Sequence, residues 1–206
     1  LAAAGPSGEG NPLTEEMSPC PIDPYGKSKL KSEEFLQTAP FPVTSFRPGV
    51  VLGEGDENSI TLFKIAKTGI GIKIAGSNQQ ISCIDVDDLA EAIVKMSMDN
   101  SGQHKKYFAV NSEIVDVNML WDALGKSVNK KVFLVPIPKF VVFAIAAVST
   151  VLSKIFSFRN KIDLKIYQQM TQKAFLCSSE KLQKELNWEP RYGIYEMTLR
   201  AAEGYR

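Results

Sequence analysis

Pro24-Tyr25-Gly26-Lys27-Ser28-Lys29-Leu30-Lys31-Ser32-Glu33-Glu34-Phe35-Leu36 is the stretch on which the fold of this chain turns. It follows residues 5–24, a run rich in Gly, Pro, Ser and Asn that reads as a long irregular loop, and it stops short of Pro40. Its periodicity predicts a helix. Tyr25 and Lys29, four residues apart, then project from one helical face. That spacing has a chemical use. A tyrosine in water ionises at about pH 10 and exchanges protons poorly at neutrality, and a nearby ammonium favours the phenolate. Such a pair can take a proton from a substrate hydroxyl as hydride leaves the carbon, or return one to a carbonyl. The lysine can also donate to the ribose hydroxyls of a bound cofactor. Spacing alone fits equally a surface tyrosine beside a solvated lysine.

Working outward, residues 43–46 and 50–52 flank Pro48-Gly49 as a short buried strand that runs into a loop at Gly53 and Gly55. Residues 60–68 read as a helix closed by Gly69, 70–74 as an alternating strand and 81–86 as another extended piece. Residues 87–96 open with Asp87 and Asp88, which suits a helix N-terminus. A strand at 107–110, a helix over 117–124 stopped at Gly125, a capping pattern at Ser178-Ser179-Glu180-Lys181-Leu182 and a last helix with Ile194, Met197, Leu199 and Ala201 follow. Strands alternating with helices predict an α/β layout. The apolar block 140–152 is too short, and too close to Ser149, Thr150 and Lys154, for a span of about 20 residues. A buried helix or an apolar pocket wall is the expectation there, with contact at a membrane surface as the remaining option.

Bulk properties exclude several classes. Net charge is +1, and the basic residues of 126–131 look like a solvated turn, so nothing favours nucleic acid. Cys20, Cys83 and Cys177 are odd in number, far apart and without a CxxC, which fits free thiols in a reducing compartment, each expected as a small buried hydrophobe. His104, the sole histidine, sits in the polar run Gln103-His104-Lys105-Lys106. Neither a histidine-dependent hydrolase nor a zinc site is expected, and no metal is assigned.

In its surroundings the Tyr25 stretch resembles the PYxxSKxxxE helix of extended short-chain dehydrogenases/reductases, the NAD-dependent epimerase/dehydratase family, with Glu33 or Glu34 as the acid. Three more segments come in that family's order. Phe46-Arg47-Pro48-Gly49-Val50-Val51-Leu52-Gly53 resembles the strand and loop that pass the nicotinamide. Cys83-Ile84-Asp85-Val86-Asp87-Asp88-Leu89-Ala90 resembles the hVxDlA segment, and residues 178–190, with Leu186-Asn187-Trp188-Glu189-Pro190, resemble the sKaxxeLGWxP signature near the C-terminus. The resemblance implies the C-terminal part of a Rossmann-type parallel-sheet domain, residues 1–54 and 81–125, plus a smaller, mainly helical substrate-binding region, 55–80 and 126–206. It implies Tyr25 as general acid/base, Lys29 as the residue that tunes it and holds the ribose, and Pro48, Gly49, Val50 and Val51 along the nicotinamide of NAD or NADP.

Parts of the family pattern are missing. Gly5, Gly8 and Gly10 lie in a coil-like run, and Gly53-Glu54-Gly55 lacks a third glycine and the helix that should follow, so neither matches the GxxGxxG phosphate loop. The family's Ser or Thr would stand immediately before Leu1, and Ser7 is out of register. The expectation is a C-terminal fragment without appreciable cofactor affinity or turnover. The family's nucleotide-sugar epimerases carry an arginine where Ile81 stands and a histidine where Asp85 stands. Together with the apolar residues of 140–158, that resembles the hydroxysteroid dehydrogenase and dihydroflavonol reductase branch, acting on a hydrophobic alcohol or carbonyl. A nucleotide-sugar epimerase/dehydratase and a non-catalytic NAD(P)-sensing or partner-binding protein remain the alternatives. A small-molecule substrate, a cytoplasmic location, no membrane span and a homodimer formed through the Tyr25 helix complete the expectations.

Overall fold

The computed structural model describes residues 1–54, 57–98, 103–156 and 164–204, without the side chains of 57–58, 151–156 and 165–166. The catalytic-type stretch forms α1 (Pro24–Leu36), followed by β1 (Thr44–Pro48), β2 (Val50–Leu52), α2 (Glu57–Lys67), β3 (Ile70–Ile74), β4 (Gln80–Asp85) and α3 (Val86–Ser97). Then come β5 (Lys105–Ala109), β6 (Ile114–Asp116), α4 (Val117–Ser127), β7 (Phe133–Ile137), α5 (Lys139–Phe156), α6 (Leu164–Met170), β8 (Ala174–Phe175), α7 (Glu180–Leu186) and α8 (Ile194–Glu203). The chain is α/β. Its β1–β5, β2–β4, β4–β8 and β3–β7 pairs are parallel, and β6 runs antiparallel to β4.

The bend at Pro48-Gly49 organises the sheet. Before it, Phe46 lies opposite Tyr107 of β5; after it, Val51 lies opposite Ile84 of β4. A Cβ on Gly49 would sit 2.3 Å from the Ser82 carbonyl oxygen, so only glycine lets the chain cross from one partner to the other at this height. Helices cover the sheet on both sides of that crossing. Ile84, Tyr107 and Ala109 pack with Ala92, Leu182 and Trp188 of the α3 and α7 region, while Leu52 and Cys83 pack with Ala123, Ile194 and Met197 of α4 and α8.

Several expectations need correction. The α4 helix runs through Gly125 to Ser127 and ends where Asn129 takes a left-handed conformation (φ 54°), with Lys130 N–H donating to the Gly125 carbonyl. Ser179 precedes α7 without capping it: its Oγ donates to the Val110 carbonyl and accepts from the Gln183 side chain, both at 2.8 Å, while Ser178 Oγ accepts from Glu180 N–H at 3.3 Å. A helix does follow Gly53-Glu54, since α2 starts at Glu57, although Gly55 lies outside the described residues. Cys20 is exposed; Cys83 and Cys177 are buried, and burial pushes both thiols up to about 12. The apolar block forms α5, whose Val142 and Ala146 are buried while Phe140, Phe143, Ile145 and Val148 are exposed; residues 157 and 158 of that block lie outside the described residues. Among the described residues no helix is long and apolar enough to cross a membrane.

Candidate active site

Three contacts fix α1. At its start, buried Asp23 caps the helix, one carboxylate oxygen accepting from Gly26 N–H at 2.9 Å, with Pro24 in the first turn where its missing N–H costs nothing. The other oxygen accepts from Gln169 of α6 at 2.8 Å. One turn on, Gly26 packs so closely on the chain start that a Cβ would lie 2.4 Å from the Ala2 carbonyl oxygen. At the far end Glu33 holds Arg47 of β1 through both carboxylate oxygens, at 2.6–3.1 Å. Arg47 is itself 2% exposed and lies over the Phe108 ring, 5.6 Å from its centroid. Glu33, not Glu34, is the acid that the helix motif uses.

These anchors leave Tyr25 and Lys29 outward, on one face. The Lys29 ammonium is 5.4 Å from the centroid of the Tyr25 ring, and the tyrosine is 60% exposed. Both border a cavity of about 740 Å³ between α1, the chain start and the β1–β2 bend. Pro48, Gly49, Val50 and Val51 line the same cavity, so all six residues named from the sequence surround one space. Ile22, Ile81 and Phe175 also line it, together with Asp23, Gln169, Glu33 and Arg47. No described residue of α5 lines it; among the described residues its apolar lining includes Ile22 of the loop before α1, Ile81 of β4 and Phe175 of β8.

Asp23 and Gln169 are the site residues that sequence reasoning missed. An aspartate directly before a proline at a helix start is a legible capping signal. Its partner 146 residues away is not. Ser7, close in sequence to the expected position of a catalytic hydroxyl, is engaged elsewhere: its Oγ accepts from Leu176 N–H at 2.8 Å and its N–H donates to the Ala174 carbonyl. His104 is exposed at the surface. Among the described residues no cluster of three or more His, Cys, Asp or Glu is placed to hold a metal ion.

The two remaining signatures meet each other, away from the cavity. Asp85 caps α3 through Asp87 N–H and pairs with Arg200 at 3.2 Å. Asp88, fully buried, accepts from the N–H groups of Arg191 and Tyr192 at 2.9 and 3.2 Å and from the Arg191 guanidinium at 3.0 Å. Trp188 closes the corner by donating its indole N–H to the Asp88 carbonyl at 3.2 Å.

Parallel strand pairs between helices, with a cavity at the bend where one strand changes partner, define an open α/β fold of the nucleotide-binding type. A family model described as "NAD dependent epimerase/dehydratase family" matches residues 2–111, more than half of the chain. The chain belongs to that family. A Sinorhizobium fredii protein, "Uncharacterized protein y4nG", is 27% identical over 208 residues, covering 95% of this chain and 49% of its own length. RMD from Pseudomonas aeruginosa complexed with NADPH is 17% identical with a TM-score of 0.71, covering 100% of this chain and 64% of that one. The UDP-glucose 4-epimerase of Thermus thermophilus, in complex with NAD, is 19% identical with a TM-score of 0.72, covering 100% and 61%. At those identities the likeness is one of fold. The chain thus spans about half the length of the curated relative it matches.

Proposed function

We propose that the whole protein is an NAD(P)-dependent oxidoreductase that moves hydride between its cofactor and a hydrophobic alcohol or carbonyl, with Tyr25 as general acid/base. The observation that carries this is the pairing of Tyr25 and Lys29 on one helix face, lining one cavity with the Pro48–Val51 bend and with apolar Ile22, Ile81 and Phe175. When bound, the dinucleotide supplies hydride acceptance and donation. The residues present fit its nicotinamide end: Pro48, Gly49, Val50 and Val51 form a wall without charge, and the Lys29 ammonium is free to donate to ribose hydroxyls. In oxidation the Tyr25 phenolate oxygen takes the proton of the substrate hydroxyl; in reduction the same oxygen returns it. Lys29 places a positive charge on the same helix face. Asp23, Gly26 and Glu33 act before any chemistry, by fixing where the Tyr25 ring stands.

The pyrophosphate end is different. The three-glycine loop is not in this sequence. The 206-residue chain alone is therefore proposed to bind NAD(P) weakly. The proposed division assigns 1–54 and 81–125 to the cofactor side and 55–80 and 126–206 to the substrate side, with α7 and α8 returning to pack on the cofactor side. In the whole protein, Tyr25→Phe is expected to abolish turnover while retaining NAD(P)H binding by fluorescence titration; unchanged turnover removes the assigned role.

A nucleotide-sugar epimerase or dehydratase is the second reading, favoured by the named activity of the Thermus structural neighbour. It uses the same tyrosine and lysine for transient oxidation. Ile81 in the cavity wall offers no cation to a diphosphate. Stabilisation of the whole protein by a UDP- or dTDP-sugar would favour it over the hydrophobic substrate. A purely cofactor-sensing protein would keep its function after Tyr25→Phe.

A further inference from the structure

The net charge of +1 conceals a strong asymmetry. Residues 58–84 and 123–162 contain ten of the chain's 24 Lys and Arg and none of its 23 Asp and Glu. These two stretches meet in the fold, because β3 and β7 pair in parallel. Register places Ile70 beside Phe133 and Ile72 beside Val135, and all four side chains are exposed on one face of the ribbon. The opposite face is already used: Gly71 lies against Trp121 and Leu134, and the Trp121 indole donates to the Ile72 carbonyl at 3.0 Å. The outer four side chains therefore contribute nothing to that core.

The apolar surface does not end with the ribbon. Pro138 alone separates β7 from α5, where Phe140, Ile145 and Val148 are exposed. Exposed lysines accompany it: Lys64 and Lys67 at the end of α2, Lys130 and Lys131 before β7, and Lys139 at the start of α5. The Lys131 ammonium lies 5.5 Å from the Phe133 ring centroid.

We propose that the outer face of the β3–β7 ribbon and the start of α5 dock on an anionic lipid bilayer. Exposed apolar side chains accompanied by lysines, in two stretches of sequence that carry no Asp or Glu, have the chemistry of interfacial binding, with the rings and aliphatic chains entering the headgroup boundary and the ammonium groups meeting anionic lipid. A second copy of the chain fits the surface less well, because a symmetric interface would set these lysines against their own equivalents. None of these residues lines the Tyr25 cavity, so the test is independent of the proposed chemistry.

Co-sedimentation of the protein with vesicles of phosphatidylcholine, with and without phosphatidylglycerol, is the experiment. Binding is expected only with phosphatidylglycerol present, and high salt should release it. Lys130→Gln with Lys131→Gln should weaken binding about 30-fold, from about fivefold per lysine near an anionic surface. Phe133→Ser with Phe140→Ser should abolish binding and leave circular dichroism and Tm unchanged, since these rings are 65% and 73% exposed. Absence of binding, equal binding to neutral vesicles, or wild-type binding by both variants overturns the proposal. So does a dimer in sedimentation velocity that the phenylalanine variant dissolves while vesicles capture nothing, which would assign the face to a second copy.

Discussion

Asp88→Ala should be among the most destabilising single changes in this chain, and most of its cost should come from backbone groups. The carboxylate is fully buried and accepts three hydrogen bonds, two of them from the main-chain N–H groups of Arg191 and Tyr192. Removing it orphans both donors, at about 1–3 kcal/mol each where water cannot replace the acceptor. The Arg191 guanidinium is 53% exposed, so it rehydrates when its partner goes, and the ion pair itself should contribute only about 0–1 kcal/mol. The expected total is about 2–7 kcal/mol. For a chain of this length, a loss of about 3 kcal/mol lowers Tm by about 6–12 °C. Asp88→Asn keeps one acceptor but turns an amide N–H toward Arg191, so it should fall between Asp88→Ala and Arg191→Ala. Urea unfolding followed by circular dichroism gives the ordering, and tryptophan emission, shared by Trp188 at this corner and Trp121, should shift with it, because Trp188 is buried and donates to the Asp88 carbonyl. If Arg191→Ala cost as much as Asp88→Ala, or Asp88→Ala cost less than about 1 kcal/mol, the assignment of the energy to the orphaned donors would be wrong.

Gly26→Ala should cost about 1–3 kcal/mol, read by thermal melting, because the new methyl must push α1 off the Ala2 carbonyl oxygen 2.4 Å from its Cβ position. Asp116 caps α4 by accepting from Met119 N–H, which with the Asn78 amide holds its carboxyl below the usual carboxylate range. Asp116→Ala should therefore cost about 1 kcal/mol at neutral pH. Because the folded value is depressed, that difference should persist above the ordinary carboxylate range and vanish as pH falls through and below it, as acid titration of the two proteins can check. Of the three cysteines, only Cys20 should react quickly with a thiol reagent in native protein, with Cys83 and Cys177 joining in denaturant; fast labelling of all three would contradict the burial that raises the Cys83 and Cys177 thiols to about 12.

The local parts of this fold were legible because local chemistry dictates them. Pro24 after Asp23, the four-residue step from Tyr25 to Lys29 and the acids opening α3 each point to a helix at their own positions. What escaped was written in more than one place. The β7 strand carries Pro136, which argues against a central strand, and it is tolerated because β7 is an edge that pairs only with β3 among the described strands. Three- and two-residue strands such as β6 and β8 have no periodicity to read and exist because β4 offers them an edge. At Ser178-Ser179 the capping pattern was present and Ser178 accepts from Glu180 N–H, but Ser179 is turned to the Val110 carbonyl and the Gln183 side chain. The candidate site divides in the same way. Tyr25, Lys29 and the Pro48-Gly49 bend are contiguous motifs, whereas the tie from Asp23 to Gln169 joins two ends of the chain.

That tie, taken with the other anchors of α1, says how the chain positions a reactive phenol that is itself largely exposed. With 60% of its surface open to solvent, the Tyr25 ring is located by its backbone more than by its neighbours. The backbone is held by contacts to three different parts of the fold: Asp23 to α6, Gly26 to the Ala2 carbonyl, and Glu33 to Arg47 of β1. Arg47 leads directly into Pro48-Gly49, so one ion pair ties the tyrosine helix to the bend that lines the same cavity. Breaking it should move two walls of the site together. Glu33→Gln, which keeps the shape and one acceptor, should therefore perturb the site less than Glu33→Ala. In the whole protein the two variants should rank in that order in lost turnover, and equal losses would mean that the spacing between α1 and the bend is set by something other than this pair.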